Sequence, residues 1–296
     1  MTVPYKYRLA RFIGHQHYIP RGRDRLIRTF ANPDYAPSMP FSVDFFGLVY
    51  RGDLGSFIDW SVYVYGAYSK NELLLLRDLA LVLRSTLDRV TFYDIGANVG
   101  QHTLFMSPLV DRVVSFEPFP LVREKLEQKL SDNAIGNVTL FPVGLGSSDE
   151  DLPYTPPDGK NMGTGTFRSV AADRDTCILP VRNGDLFFKQ NALPRIDLMK
   201  IDVEGFESDV LIGLKETIKR DRPVILMELS LADRSGFGNK KSFIASIYDN
   251  FEMYSVHTTS ISGTYRLGQA NFTDDDEILI VPRERCDSLK SMINAN

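Results

Sequence analysis

A chain of 296 residues with 43% hydrophobic and 24% charged content can bury one elaborated α/β core, and this composition excludes a disordered or fibrous protein. Two cysteines, Cys177 and Cys286, exclude a disulfide framework and fit a reducing cytoplasm, while the four histidines show no zinc-ligand spacing, so metal-independent chemistry is expected. The net charge of −4 hides an asymmetry: Lys6, Arg8, Arg11, Arg21, Arg23, Arg25 and Arg28 stand against Asp24 alone, which is +6 for residues 1–30 and −10 for the remainder.

In chain order, that basic stretch reads as an arm. It is either solvated or held against the acidic body, a membrane surface or a polyanion. His15 and His17 read as surface residues. Residues 31–58, rich in Pro, Gly and aromatic residues, read as short strands and turns that cap one edge. Asp59–Tyr68 alternates like a strand or bend. Ser69–Leu87 carries a helical apolar face opened by Ser69 as N-cap, with Glu72 at the capping-box position. Its most apolar part, Leu73–Leu83, is broken by Arg77 and Asp78 and is too short to span a bilayer; no secretory leader is read, and a soluble, cytoplasmic protein is expected.

Strands are then expected at Val90–Asp94, Arg112–Glu117, Val138–Val143, Arg195–Ile201 and Pro223–Glu228. Helices fall between them, the one after Glu117 starting at Pro118 and Pro120, and the one near Gly205 carrying Phe206, Val210, Leu214 and Ile218 on one face. Residues 151–175 break the rhythm with prolines and glycines and read as an insertion, a lid that orders on acceptor binding. Thr176–Val181 reads as a strand and Asp185–Asn191 as a short helix. A last helix is expected around Phe243–Phe251, with strands at Met253–His257 and Glu277–Val281. The alternation predicts a doubly wound, mostly parallel sheet: an arm, cap and helical extension over residues 1–88, then one domain over 89–296.

The chemistry gathers at Val90-Thr-Phe-Tyr-Asp-Ile-Gly-Ala-Asn-Val-Gly-Gln-His-Thr-Leu104. Gly96 and Gly100 allow a tight strand-to-helix turn whose free amides face a crevice. A dinucleotide pyrophosphate needs glycine where Asn98 stands, and Asp94 would repel it. A ligand carrying an ammonium and a sulfonium reverses that sign, so S-adenosylmethionine is the expected cofactor. Glu117, 23 residues after Asp94 at the end of the next strand, is placed to accept both ribose hydroxyls. Asp149, in the polar loop Gly144–Glu150 with Ser147 and Ser148, either reaches the adenine or is a surface turn residue.

Asp94-Ile-Gly-Ala-Asn-Val-Gly100, Phe116-Glu-Pro118 and Lys200-Ile-Asp-Val-Glu-Gly-Phe-Glu207, in that order, resemble the FkbM family of class I S-adenosylmethionine-dependent methyltransferases over about residues 60–230. The resemblance implies a seven-stranded Rossmann-like sheet with its last strand antiparallel, and O-methylation. It also likens Tyr65 and Tyr68 to the family's aromatic entry to the cofactor loop; packing is the other reading for both. Cofactor contacts are expected from Asp94, Gly96, Asn98, Gly100, Glu117 and Asp149. Asp202, Glu204, Glu228 and His257 are the candidates to orient or deprotonate an acceptor hydroxyl. Asp202 is expected nearest the transferred methyl, or else as a helix cap; His102 is a further candidate, structural on the alternative reading. The expected acceptor is a glycan, glycolipid or small metabolite. A nucleic-acid methyltransferase would use the basic arm, but the acidic body argues against a broad phosphate-binding surface. A cofactor-binding module without turnover is the third reading.

Overall fold

The computed structural model describes residues 3–16, 22–157, 165–167, 176–229, 240–259, 264–270 and 277–294. Its basic N-terminus is folded rather than a free arm: helices α1 (Tyr5–Gly14) and α2 (Arg23–Ala31) pack on each other. Tyr7, Ala10 and Gly14 recur at helical spacing on the buried face of α1. Gly14 permits the closest approach, since a Cβ there would stand 2.1 Å from the carbonyl oxygen of Val64. The cap then forms an antiparallel hairpin, β1 (Pro40–Phe45) and β2 (Leu48–Asp53).

Asp59–Tyr68, expected as a strand or bend, lies largely in a helix, α3 (Phe57–Tyr65). Every residue from Ile58 to Val64 is buried. A helix enclosed on all sides has no polar face, so its aromatic and β-branched run imitates strand alternation. Helix α4 (Lys70–Arg84) buries Leu73, Leu75, Leu76, Leu79, Ala80 and Leu83, and each buried leucine contributes about 1.5–3 kcal/mol relative to exposure. Ser69 precedes it with φ 43° and no side-chain cap.

The core follows as β3 (Thr91–Ile95), α5 (Gln101–Met106), β4 (Arg112–Phe116), α6 (Pro120–Asp132) and β5 (Val138–Phe141). Strands β6 (Gly144–Gly146), β7 (Glu150–Tyr154) and β8 (Cys177–Asn183) make a separate three-stranded sheet. The expected polar loop at 144–150 and the first part of the expected insertion therefore contribute strands; residues 158–164 and 168–175 lie outside the described residues. Next come α7 (Gly184–Gln190), β9 (Leu198–Ile201), α8 (Glu207–Gly213), α9 (Lys215–Asp221), β10 (Val224–Glu228), α10 (Lys240–Ile247), β11 (Phe251–Thr259), β12 (Thr264–Gln269), β13 (Glu277–Pro282) and α11 (Arg283–Asn294).

Eight strands form the main sheet in the order β12-β11-β13-β10-β9-β3-β4-β5, where seven were expected; β12 is the addition. The run from β10 to β5 is parallel, and β13 enters antiparallel between β10 and β11. Side chains alternate between two cores. Phe92, Val113, Leu198, Leu226 and Leu279 face α3, α4 and the N-terminal helices, whereas Tyr93, Val114, Met199, Ile225 and Ile280 face α8, α9 and α10. Gly96 and Gly100, in the loop between β3 and α5, take φ 85° and 82°. A Cβ on Gly96 would lie 1.9 Å from the carbonyl oxygen of Asp202, so glycine is what lets this loop lie against the end of β9.

Candidate active site

Beneath the loop, Asp94 is 1% exposed. Its Oδ2 accepts a bond from Thr103 Oγ1 at 2.6 Å, and that hydroxyl lies 2.7 Å from Ser115 Oγ. Its Oδ1 is buried without a hydrogen-bond partner among the described residues. Asp94 thus sits below the cleft rather than in its lining, and bears on a ligand above through its field. Glu117, at the end of β4, accepts from the amide of Asn98 through Oε2 and from that of Phe119 through Oε1, both at 2.8 Å. Burial pushes its carboxyl up to about 7 against the pull of those two amides. Asn98 itself takes φ 50°, and its Oδ1 accepts from the amide of Val99.

Register then builds a row of acids. Ile201 pairs with Ile95 on one side and Met227 on the other, so Gly96, Asp202 and Glu228 come next together at the carboxyl ends of three parallel strands. Glu228 pairs with Glu277, and Glu117 ends the adjoining β4. One pair lower on the same face stands Lys200, 3% exposed, beside Asp94 and Leu226. Its Nζ lies 2.6 Å from Asp202 Oδ2 and 3.8 Å from Glu72 Oε2, and His102 Nε2 lies 3.3 Å from the same Glu72 oxygen.

The charges are unequal in consequence. Burial opposes ionisation of Asp202, but the charge and hydrogen bond of Lys200 outweigh it and lower its pKa. Lys200 is raised although burial opposes its charge, because Asp202 and Glu72 surround it. Glu228 is exposed toward the cleft, yet loss of water around its carboxyl, the ionised Asp202 and a hydrogen bond to it push it up to about 9. Asp202 and Glu228 therefore share one proton at neutral pH. Burial, then Asp202 and Glu207, push Glu204 up to about 7. Tyr68 is held at about 12 by burial and by Asp202, Glu72 and Glu228.

The loop after β9 is drawn tight. Glu204 and Gly205 take φ 51° and 97°, and Glu207 Oε1 accepts from the amides of Val203 and Gly205 at 3.2 and 3.1 Å. Thr166 Oγ1 donates to the carbonyl of Glu204 at 2.9 Å. A non-glycine residue held left-handed costs about 1–3 kcal/mol, and here the side chain of Glu204 is thereby presented to the cleft. Across it, Gln101 clamps Tyr68 by two bonds of 2.7 Å, to its amide and its carbonyl. The result is a cleft lined by Ile58, Tyr68, the loop Gly96–Val99, Gln101, His102, Asp202, Glu204 and Glu228.

Gly96, Asn98, Asp202, Glu204 and Glu228 are thus brought together, and Glu117 holds the loop through the amide of Asn98. Two candidates fall elsewhere. Asp149 is exposed, and its Oδ1 accepts from the amide of Asn183 at 2.7 Å on the second sheet. His257 is exposed on β11, paired with Arg266 and separated from β10 by β13. Neither lines the cleft. Sequence reading passed over Lys200, Glu72 and Glu277. A lysine inside the apolar strand Leu198–Ile201 was a signal for the first, while Glu72 was concealed as a capping residue.

The family described as Methyltransferase FkbM domain matches residues 94–257. The hexuronic acid methyltransferase AglP of Haloferax volcanii is 29% identical over 165 residues, covering 53% of this chain and 66% of that protein. The AMB antimetabolite synthetase AmbE of Pseudomonas aeruginosa is 28% identical over 203 residues, covering 56% of this chain and 9% of that protein. This chain thus spans just under two thirds of the first and a small part of the second. Among solved structures, a methyltransferase FkbM from Methylobacillus flagellatus aligns with a TM-score of 0.44 at 14% identity, covering 75% of this chain and 65% of that one.

Proposed function

The chain belongs to the FkbM methyltransferase family; we propose that it is a methyltransferase that moves a methyl group from S-adenosylmethionine to a hydroxyl of a glycan, glycolipid or small metabolite. The observation that carries this reading is the row of carboxylates at the carboxyl end of the sheet, set beside a glycine-bearing loop. Such a surface suits a cationic donor and a hydroxyl-bearing acceptor and repels phosphate. The match to a hexuronic acid methyltransferase is consistent with a saccharide acceptor.

The residues present fit the donor. Each oxygen of Glu117 accepts one amide and keeps a lone pair, enough for a ribose diol. Buried Asp94 and the cleft acids place negative potential under a sulfonium. When bound, S-adenosylmethionine supplies a methyl group on positively charged sulfur, a leaving group that needs no protonation. The chain is left to align the acceptor and receive a proton.

Asp202, expected nearest the methyl, is a weak base while Lys200 and Glu228 hold it. It orients the acceptor hydroxyl as a hydrogen-bond acceptor. Glu204, at about 7, is basic enough and ionised enough near neutrality to take the hydroxyl proton as the acceptor oxygen takes the methyl. Protonated Glu228 keeps Asp202 in place. The test is incubation with methyl-labelled S-adenosylmethionine and cell extract, fractionated into lipid, saccharide, small molecules and nucleic acid. Label in the saccharide, lipid or small-molecule fraction is expected. Label in nucleic acid alone, or cofactor binding without any turnover, overturns the reading.

A further inference from the structure

We propose that the outer face of the α1–α2 pair docks the protein on anionic membrane surfaces. Among the described residues, the aromatic side chains that stand exposed are Tyr5, Phe12, Tyr35 and Phe46, and all precede residue 47. Tyr5 and Phe12 are 75% and 66% exposed. They share with exposed Arg8 the i, i+3, i+7 stripe of α1, opposite the face that buries Tyr7, Ala10 and Gly14. On neighbouring α2, Arg25 and Leu26 are likewise exposed. A helix with one apolar stripe in the core needs no second one outside it, and folding alone does not account for aromatics left in water.

Charge selects the occupant. Arg11 is committed to the fold through the carbonyl of Tyr63, and Arg28 is paired with Asp24. Lys6, Arg8 and Arg25 form no ion pair among the described residues. An outward face of exposed aromatics interleaved with unpaired cations matches a surface of anionic headgroups over acyl chains: the cations meet the phosphates and the rings sit at the boundary. A nucleic acid would be met by the cations but would leave Tyr5, Phe12 and Leu26 without an apolar partner. Position supports a use for this face. The end of α1 rests on Val64, four residues before Tyr68, which lines the cleft.

The experiment is flotation of the full chain with vesicles of phosphatidylcholine alone and of phosphatidylcholine mixed with phosphatidylglycerol, across a salt series. Binding to the anionic vesicles that weakens with salt is expected, with little on neutral ones. Tyr5→Ser combined with Phe12→Ser should lower partitioning about tenfold. Arg8→Ala and Arg25→Ala should each lower it about fivefold. All these side chains are exposed, so melting temperatures should not move; an unshifted melt confirms that a lost affinity belongs to the face. Failure of the full chain to float with anionic vesicles at low salt overturns the proposal. So does full binding by the aromatic variant, which would mark a polyanion contact without insertion, or tighter retention on duplex RNA than on the vesicles.

Discussion

Replacing Glu204 by Gln separates catalysis from stability, because the two should move in opposite directions. The side chain of Glu204 forms no hydrogen bond among the described residues, and its carbonyl bond to Thr166 survives the change. Its carboxyl rises from an ordinary 4.5 to about 7, first through burial and then through repulsion by Asp202 and Glu207. A carboxyl raised by folding stabilises the fold fully below about pH 4.5, and this contribution is lost as pH rises through 7. Above that the ionised group strains the site, by up to about 3 kcal/mol at 1.36 kcal/mol per pH unit, less what water on the open side screens. The Gln variant should therefore melt at or above the wild type at pH 8 and show a smaller stability change between pH 5 and 8. Its kcat/KM should fall by about 10²–10⁴, the range a positioned base contributes. The wild-type profile should rise about tenfold per unit below pH 7 and level off above it. Near pH 9 the loss of the proton shared by Glu228 and Asp202 should begin a descending limb. Release of S-adenosylhomocysteine, followed across pH for both proteins, reads this out. A Gln variant that keeps more than about a tenth of the activity, or that loses activity and stability together, refutes Glu204 as the base.

Glu117→Ala should weaken S-adenosylmethionine binding by about 1–3 kcal/mol in calorimetry, since the ribose hydroxyls and the Asn98 and Phe119 amides lose their acceptor; unchanged affinity removes Glu117 from the site. Lys200→Met should cost about 3–5 kcal/mol in denaturant unfolding, because Asp202 and Glu72 are left beside each other without their buried cation. A stable variant with normal kinetics would show that the acids tolerate one another. Gly96→Ala should yield little folded protein, as its Cβ would fall 1.9 Å from a backbone oxygen at φ 85°; a normal melt would mean that the loop can move away from β9.

The glycines, the acids that end successive strands and the alternation of strand and helix were legible along the chain, because each is a local demand. A tight turn needs positive φ, and a buried parallel strand needs an apolar run closed by a turn. Asp59–Tyr68 misled for a local reason too. Burial on every side removes the polar face that distinguishes a helix from a strand, and only the packing of α1, the turn at Pro33–Tyr35 and the β1–β2 hairpin around it supplies that burial.

The roles of the acids belonged to the tertiary structure. Asp94, Glu117, Asp202, Glu204 and Glu228 read alike as carboxylates near one crevice, yet Asp94 lies under the floor, Asp202 is tied to Lys200, and Glu204 is lifted by its neighbours. Basicity is set by distance and by excluded water, quantities that sequence separation does not carry: Glu72 reaches Lys200 across more than a hundred residues, while Asp149 turns away to Asn183. The sequence by itself determined that a glycine-bearing loop and a set of acids would meet at the end of a parallel sheet. Which acid is left free to take a proton was decided when β9 came to lie between β3 and β10, because that placement buries Lys200 against Asp202 and sets Asp202 beside Glu228, while Glu204 is raised by burial and by Asp202 and Glu207.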